Sequence, residues 1–416
     1  MNFLFIVSYF VLFITLIYFF YILIGIIRYD LKYKDRDINI KIKKDDFYII
    51  VPVYNEDIEI LKSHINFHRK YNIIYVLNGS SEKYKEILEK NNVKYLYIEE
   101  KNKKKAIWKG LNYIKNFNPK YVILLDSDTF LIEKNIKIGV YYLEKYNFSA
   151  VSFNIFLYGN SIWNDVFKLN KGIYIYTLKG FSGNGNQLSL NGECIMGKFN
   201  DIYEAYNELV EKHSNKRIGD DQILSSILIN NGKKIFYIDH YYVMTKGINN
   251  FEELIKKNIR YTRAFVYSIL VNIKEKYILS RDIFYFLYIL SYLVPIFIYI
   301  YILYNSLSLI LFIKYYNIYN FLYYFIVRKS LADFIFLHHL ITRYYTTIPF
   351  HTILHLFNII IKYLVLSFYI FIIYAEYKKF SNNKNSIFYY FILSFLFPII
   401  VFYSLFTFFK DEWLTR

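Results

Sequence analysis

The sequence predicts an α/β domain with a mixed, mainly parallel sheet, flanked by transmembrane α-helices. Three observations predict it. Short Val, Ile and Leu runs alternate with helix-length segments of about ten residues through the first part of the chain. Each run ends in polar or acidic residues, and right-handed crossovers would gather those ends on one edge. The apolar residues, 55% of the 416, concentrate at the two ends of the chain.

Residues 47–53 (FYIIVPV) read as the first strand, and Tyr54-Asn55-Glu56-Asp57 as the turn leaving it. Residues 58–70 read as a helix, 73–77 as a second strand ending at Asn78-Gly79-Ser80-Ser81, 82–91 as a helix and 93–98 as a third strand. Residues 103–116 are helical again, and 121–125 (YVILL) form the fourth strand, closed by Asp126-Ser127-Asp128. Paired carboxylates at the carboxyl end of a buried strand occupy the crevice where open α/β sheets bind ligands. Their hard oxygens suit Mg²⁺ or Mn²⁺ carrying a diphosphate. No GxGxxG fingerprint or Walker loop is present, which points away from a dehydrogenase or a P-loop kinase.

Further along, residues 182–186 (SGNGN) read as a polar loop, and Asn191-Gly192-Glu193 follows a short apolar segment. Gly219-Asp220-Asp221-Gln222 opens a helix through Ile229, where one Asp suits the cap and the other a general base. In residues 256–263 (KKNIRYTR), Arg260 and Arg263 share a helix face beside Tyr261, and an Arg pair suits a leaving diphosphate or, equally, a membrane-facing basic helix. The lysines at 101, 103, 104, 105 and 109 read mostly as a solvated face, with Lys105 the one placed to reach a phosphate.

The ends have a different character. Residues 3–27 carry no charged side chain, enough to cross a bilayer, and basic residues from Arg28 to Lys44 follow. The positive-inside tendency makes that side cytoplasmic. Residues 282–416 read as a membrane region, with spans near 283–304, 305–327, 350–374 and 387–409 and an interfacial helix near 328–348. The intervening residues 28–281 form the cytoplasmic domain. The net charge of +17 fits anionic lipid headgroups and a phosphorylated substrate, and no nucleic-acid-binding motif accompanies it. Cys194 is the only cysteine, so no intramolecular disulfide forms. His351 and His355, spaced i, i+4 in an apolar segment, read as structural or interfacial.

Together these motifs resemble the membrane-integrated glycosyltransferases of family 2, which include cellulose, chitin and hyaluronan synthases and ceramide glucosyltransferases. The resemblance implies a GT-A-type nucleotide-sugar domain. Pro52, Tyr54 and Glu56, within VPVYNE, look like its opening nucleotide-contacting turn, joined by Asn78 and Lys105. LLDSD looks like its DxD motif, with Asp126 near the donor and Asp128 on Mg²⁺ or Mn²⁺. GDDQ looks like its acidic base segment. This gives the base role to Asp221 and acceptor contacts to Asp220 and Gln222. KNIRY stands at its Q-x-x-R-W motif, giving Arg260 the diphosphate and Tyr261 the acceptor floor. Trp413 to Arg416 resembles a tail that some members carry.

Three departures stand out. Leu77-Asn78-Gly79-Ser80 replaces the usual Asp-Asp-Gly-Ser, Lys257 and Tyr261 replace the Gln and Trp, and Lys104 replaces the glycine before the phosphate lysine. The resemblance implies an inverting transfer from a nucleotide-sugar, a UDP-sugar foremost, to a lipid or growing polysaccharide. The alternatives are a polyprenyl-phosphate sugar transferase and an inactive membrane scaffold that retains the fold.

Overall fold

The computed structural model describes residues 3–33, 40–80, 82–186, 188–216 and 218–290, with a few positions between 389 and 407; side chains begin at Ile17. The predicted spans beyond residue 290, the 328–348 helix, His351, His355 and the Trp413–Arg416 tail lie outside the described residues. The chain divides into two units. The larger is Phe20–Tyr285 with Ile372–Arg416, and the smaller is Met1–Phe19 with Phe286–Phe371. Of the smaller unit, the structure describes helical backbone at residues 3–19 and 286–290.

Among the described residues, the larger unit is built on one mixed sheet of eight strands. These are β1 (Phe47–Val53), β2 (Ile73–Asn78), β3 (Tyr95–Ile98), β4 (Tyr121–Leu125), β5 (Thr129–Phe130), β6 (Ala150–Tyr158), β7 (Cys194–Lys198) and β8 (Ile235–Lys246). Their order is β3-β2-β1-β4-β7-β6-β8-β5. The first four strands run parallel, β7 is antiparallel to both neighbours, and β5 is antiparallel to β8. The helices are α1 (Phe3–Lys32), α2 (Ile58–His68), α3 (Glu82–Lys90), α4 (Lys103–Ile114), α5 (Glu133–Lys145), α6 (Ile162–Gly183), α7 (Phe199–His213), α8 (Asp220–Asn230) and α9 (Phe251–Lys274).

Strand alternation divides the core between the two faces of the sheet. Ile49, Val51 and Val53 pack on one face with Ile123 and Leu125, while Ile50 packs on the other with Val122 and Leu124. Each such buried side chain contributes about 1.5–3 kcal/mol. Among the described residues, no helix is long and apolar enough to cross a membrane.

The predicted loop at 182–186 is corrected: α6 continues through Gly183, and Asn184 caps it. Gly180 and Gly183 serve close packing against α1. A Cβ on Gly183 would lie 1.8 Å from the Gly25 carbonyl oxygen, and one on Gly25 would lie 2.0 Å from that of Gly180. Asn184 Nδ2 donates to the Tyr21 carbonyl at 2.8 Å, tying the helix end to α1. Gly183→Ala is therefore expected to force the two helices apart and cost about 1–3 kcal/mol, read as a lower thermal midpoint.

Candidate active site

Strands β1, β2 and β4 end together. Pro52 sits near the end of β1 opposite Val76, where pairing with β4 has already stopped at Ile50, so its missing N–H leaves no gap in that ladder. Beyond β4, Asp126-Ser127-Asp128 forms a tight turn in which Thr129 N donates to Asp126 O at 3.0 Å. Ser127 Oγ donates to Glu56 Oε2 at 2.7 Å, so buried Glu56 fastens the β1 turn to the β4 turn. Asp128 Oδ1 accepts long hydrogen bonds from the hydroxyls of Thr129 and Thr245, at 3.4 and 3.3 Å.

Lys103, the first residue of α4, reaches across to this turn. Its Nζ lies 2.7 Å from Asp126 and 3.6 Å from Asp220. Those carboxylates raise its pKa against the opposing effect of burial. Lys105, predicted to reach a phosphate, instead pairs with Glu100 at 2.6 Å, with about a third of its side chain exposed. Lys104 is buried and donates to the carbonyls of His213 and Ile218, both at 3.2 Å. The signal that separates the three is Asn102, whose Oδ1 caps α4 at Lys105 N and so sets the helical phase.

Asp220 and Asp221 are the first two residues of α8, after a Gly219 N-cap; neither supplies the cap itself. Their carboxylates differ. Burial pushes Asp220 up, but Lys103 and Lys104 outweigh it and hold the group below its ordinary range. Asp221 is pushed up to about 7 by burial and by the charge of Asp220, against a smaller opposing pull from Lys103. Gly192 leaves room for it: a Cβ there would meet Asp221 Oδ2 at 2.8 Å. The backbone of the next residue closes the same corner, as Asp126 N donates to Glu193 O at 3.1 Å. Gly192→Ala should therefore displace the Asp221 carboxylate. A misplacement of this size costs about 10²-fold in turnover with little change in thermal stability, checked by kinetics beside a melting curve.

The remaining predicted residues surround this centre. Tyr54 is half-buried, with Lys101 Nζ 5.5 Å from its ring centroid. Asn78 is buried at the end of β2, and among the described residues its Oδ1 has no hydrogen-bond partner. Gln222 N donates to Asp221 Oδ1 at 2.9 Å, while the Gln222 side-chain oxygen is buried with no partner among the described residues. Arg260 lies 5.4 Å from the Tyr261 ring centroid, and the Tyr261 ring stacks on Phe167 at 6.1 Å. Arg263 does not join Arg260: it is buried, and it donates to Thr407 Oγ1 from Nε at 3.0 Å and from Nη2 at 2.9 Å. Sequence reasoning missed Lys103, the partly buried Lys171–Glu193 ion pair and Tyr206, which lines a small pocket with Pro52, Lys103, Asp126, Gly192 and Asp220.

A divalent ion fits this donor set. Among the described residues, no three His, Cys, Asp or Glu side chains form an all-protein metal cage. Mg²⁺ and Mn²⁺ are commonly held by one or two carboxylates together with substrate phosphates, and Asp128 offers such a carboxylate. Beside it the Tyr158 phenol is raised to about 12, mainly by burial and further by Asp128 and Glu56.

Residues 48–204 match the family model described as Glycosyl transferase family 2. No curated protein matches the chain. Among solved structures it is similar to glucosyl-3-phosphoglycerate synthase from Mycobacterium tuberculosis in complex with Mn²⁺, UDP and glucosyl-3-phosphoglycerate. That match has a TM-score of 0.35 and 13% identity, and it covers 54% of this chain and 78% of that one. The same enzyme with Mn²⁺ and UDP-glucose matches at TM-score 0.35 and 12% identity, over 53% of this chain and 78% of that one. The glycosyl transferase family 2 match over residues 48–204 lies on the mixed sheet, and the protein is a glycosyltransferase.

Proposed function

We propose that the protein is an inverting, metal-dependent glycosyltransferase that moves a sugar from a UDP-sugar to a lipid or growing polysaccharide at a membrane. The observation that carries this reading is the pairing of Asp126 and Asp128 at the end of β4 with Asp221, a carboxylate held near 7, at the start of α8. A base with that pKa matches proton removal from a hydroxyl at neutral pH. Asp221 takes the proton of the acceptor hydroxyl as its oxygen attacks the anomeric carbon, and Arg260 meets the charge growing on the departing diphosphate. A single displacement inverts the anomeric centre. A divalent ion bound at Asp128 would neutralise part of the same diphosphate charge. Lys103 holds Asp126 and Asp220 in place beside the donor. Asn78 Oδ1, buried and unpartnered, can accept from an N–H on the edge of a base such as uracil.

The membrane setting rests on the sequence of the flanks and on α1. Phe20, Ile24, Ile27 and Leu31 are exposed by 47%, 46%, 52% and 79% and form one stripe on that helix. Such a stripe suits acyl chains, with Arg28 and Lys32 at the headgroups and the catalytic domain on the cytoplasmic side. The test is nucleotide release by purified membranes given a panel of UDP- and GDP-sugars with Mg²⁺ or Mn²⁺. Release from a UDP-sugar is expected, and turnover of no donor overturns the reading.

A further inference from the structure

Lys257 lies one helical turn before Arg260 on α9. Its Nζ is 4.9 Å from the Phe167 ring centroid. Lys171, on α6, lies 5.8 Å from the Phe167 centroid and 5.6 Å from that of Tyr261. With Arg260, three cations therefore gather on one pair of stacked rings. The two helices are locked at this level, because Asn170 Nδ2 donates to Asn258 Oδ1 at 2.7 Å. Glu193 pairs with Lys171. Among the described residues, Lys257 has no ion-pair partner.

The charge of Lys257 is correspondingly poorly supported. Burial, Lys171 and Arg260 all push its pKa down, to about 8, while Asp128 and Glu193 favour the charged form more weakly. The gain of a cation over an aromatic face does not offset the desolvation of an ammonium group. An anion supplied by a substrate would. Arg260 and the metal site at Asp128 already face the donor diphosphate in the reading above. Lys171 and Glu193 lie on the Asp221 side, close enough for both to act on its carboxyl group or be acted on by it.

We infer that Lys257, supported by Lys171 over the Phe167–Tyr261 floor, is an anion subsite for the second substrate, so that the acceptor carries a phosphate or carboxylate group. This rests on the glycosyltransferase reading and narrows its acceptor class. The probe is inorganic phosphate, titrated into the full-length protein in detergent after saturation with UDP and Mn²⁺, so that the diphosphate subsite is already filled. Phosphate should bind that complex. Lys257→Gln should weaken phosphate by about tenfold or more while leaving UDP affinity within about twofold. Lys257→Arg, which keeps the charge, should retain phosphate binding and so separates loss of the cation from loss of the fold. The inference is overturned if the parent complex binds no phosphate. It is also overturned if Lys257→Gln weakens UDP itself tenfold, which would assign Lys257 to the diphosphate. Failure of the parent to bind UDP at all would instead bring down the glycosyltransferase reading on which it rests.

Discussion

Asp221→Asn is expected to lower turnover by about 10²–10⁴-fold, or about 3–5 kcal/mol in the barrier, while nucleotide affinity stays within about twofold. The amide keeps the shape of the carboxylate and its place beside Gly192 but cannot take a proton. The pH profile gives a second reading of the same residue. Burial and Asp220 push Asp221 up to about 7, so at pH 6 most of the population is protonated and unable to act as a base. In the parent, kcat/KM should therefore rise about tenfold per unit below pH 7 and level off above it. An Asp near its ordinary value of about 3.9 would give a flat profile over this range. Neighbouring Asp220 moves the opposite way because Lys103 and Lys104 hold its charge. Two adjacent carboxyl groups thus take separate roles, one fixed as an anion and one able to exchange a proton near neutrality. A flat profile from pH 5 to 8, or full activity in Asp221→Asn, would rule out a hydroxyl acceptor activated by this residue. A phosphate nucleophile, which needs no base, would then be favoured.

The first half of the domain was legible because its strands are buried and locally bounded. β1 and β4 fall at residues 47–53 and 121–125 as their apolar runs predict, since parallel strands covered on both faces read as continuous Val, Ile and Leu. The Asp126 and Asp221 motifs were legible for the same reason: each sits directly at the end of a recognisable element. What stayed hidden depends on pairing across the chain. β7 inserts between β4 and β6, bringing Glu193 to Asp126, and no local pattern announces that order. The Ser182–Asn186 stretch has the composition of a loop, yet its Gly183 belongs to the contact between α1 and α6, which appears only once both helices are in place. The lysine run is ambiguous for a related reason. Lys103, Lys104 and Lys105 are chemically alike, and their fates, in the site, in the core and at the surface, follow from helical phase.

Asp128→Asn is expected to remove the metal dependence of donor binding and to lower turnover by about 10²–10³-fold. The argument turns on the unequal surroundings of the two carboxylates in the β4 turn. Asp126 is in contact with the Lys103 ammonium at 2.7 Å, and burial with the nearby charge of Asp128 raises its pKa despite that lysine. Asp128 meets hydroxyls, at 3.3 and 3.4 Å, which are soft constraints that a metal–oxygen bond can displace. Thr245 reaches it because β5 pairs with β8 in the register Thr129↔Thr245, so the sheet itself aims this carboxylate. An amide keeps one oxygen but loses the charge that makes a hard cation bind there. Titration of UDP with Mn²⁺ and then with EDTA should show a large difference in the parent and almost none in Asp128→Asn. Asp126→Asn should keep the difference, because it leaves the metal-facing carboxylate in place while releasing Lys103 towards Asp220. Equal loss of metal dependence in both variants would mean that the two carboxylates share the ion, and that Lys103 moves away from Asp126 when the donor binds.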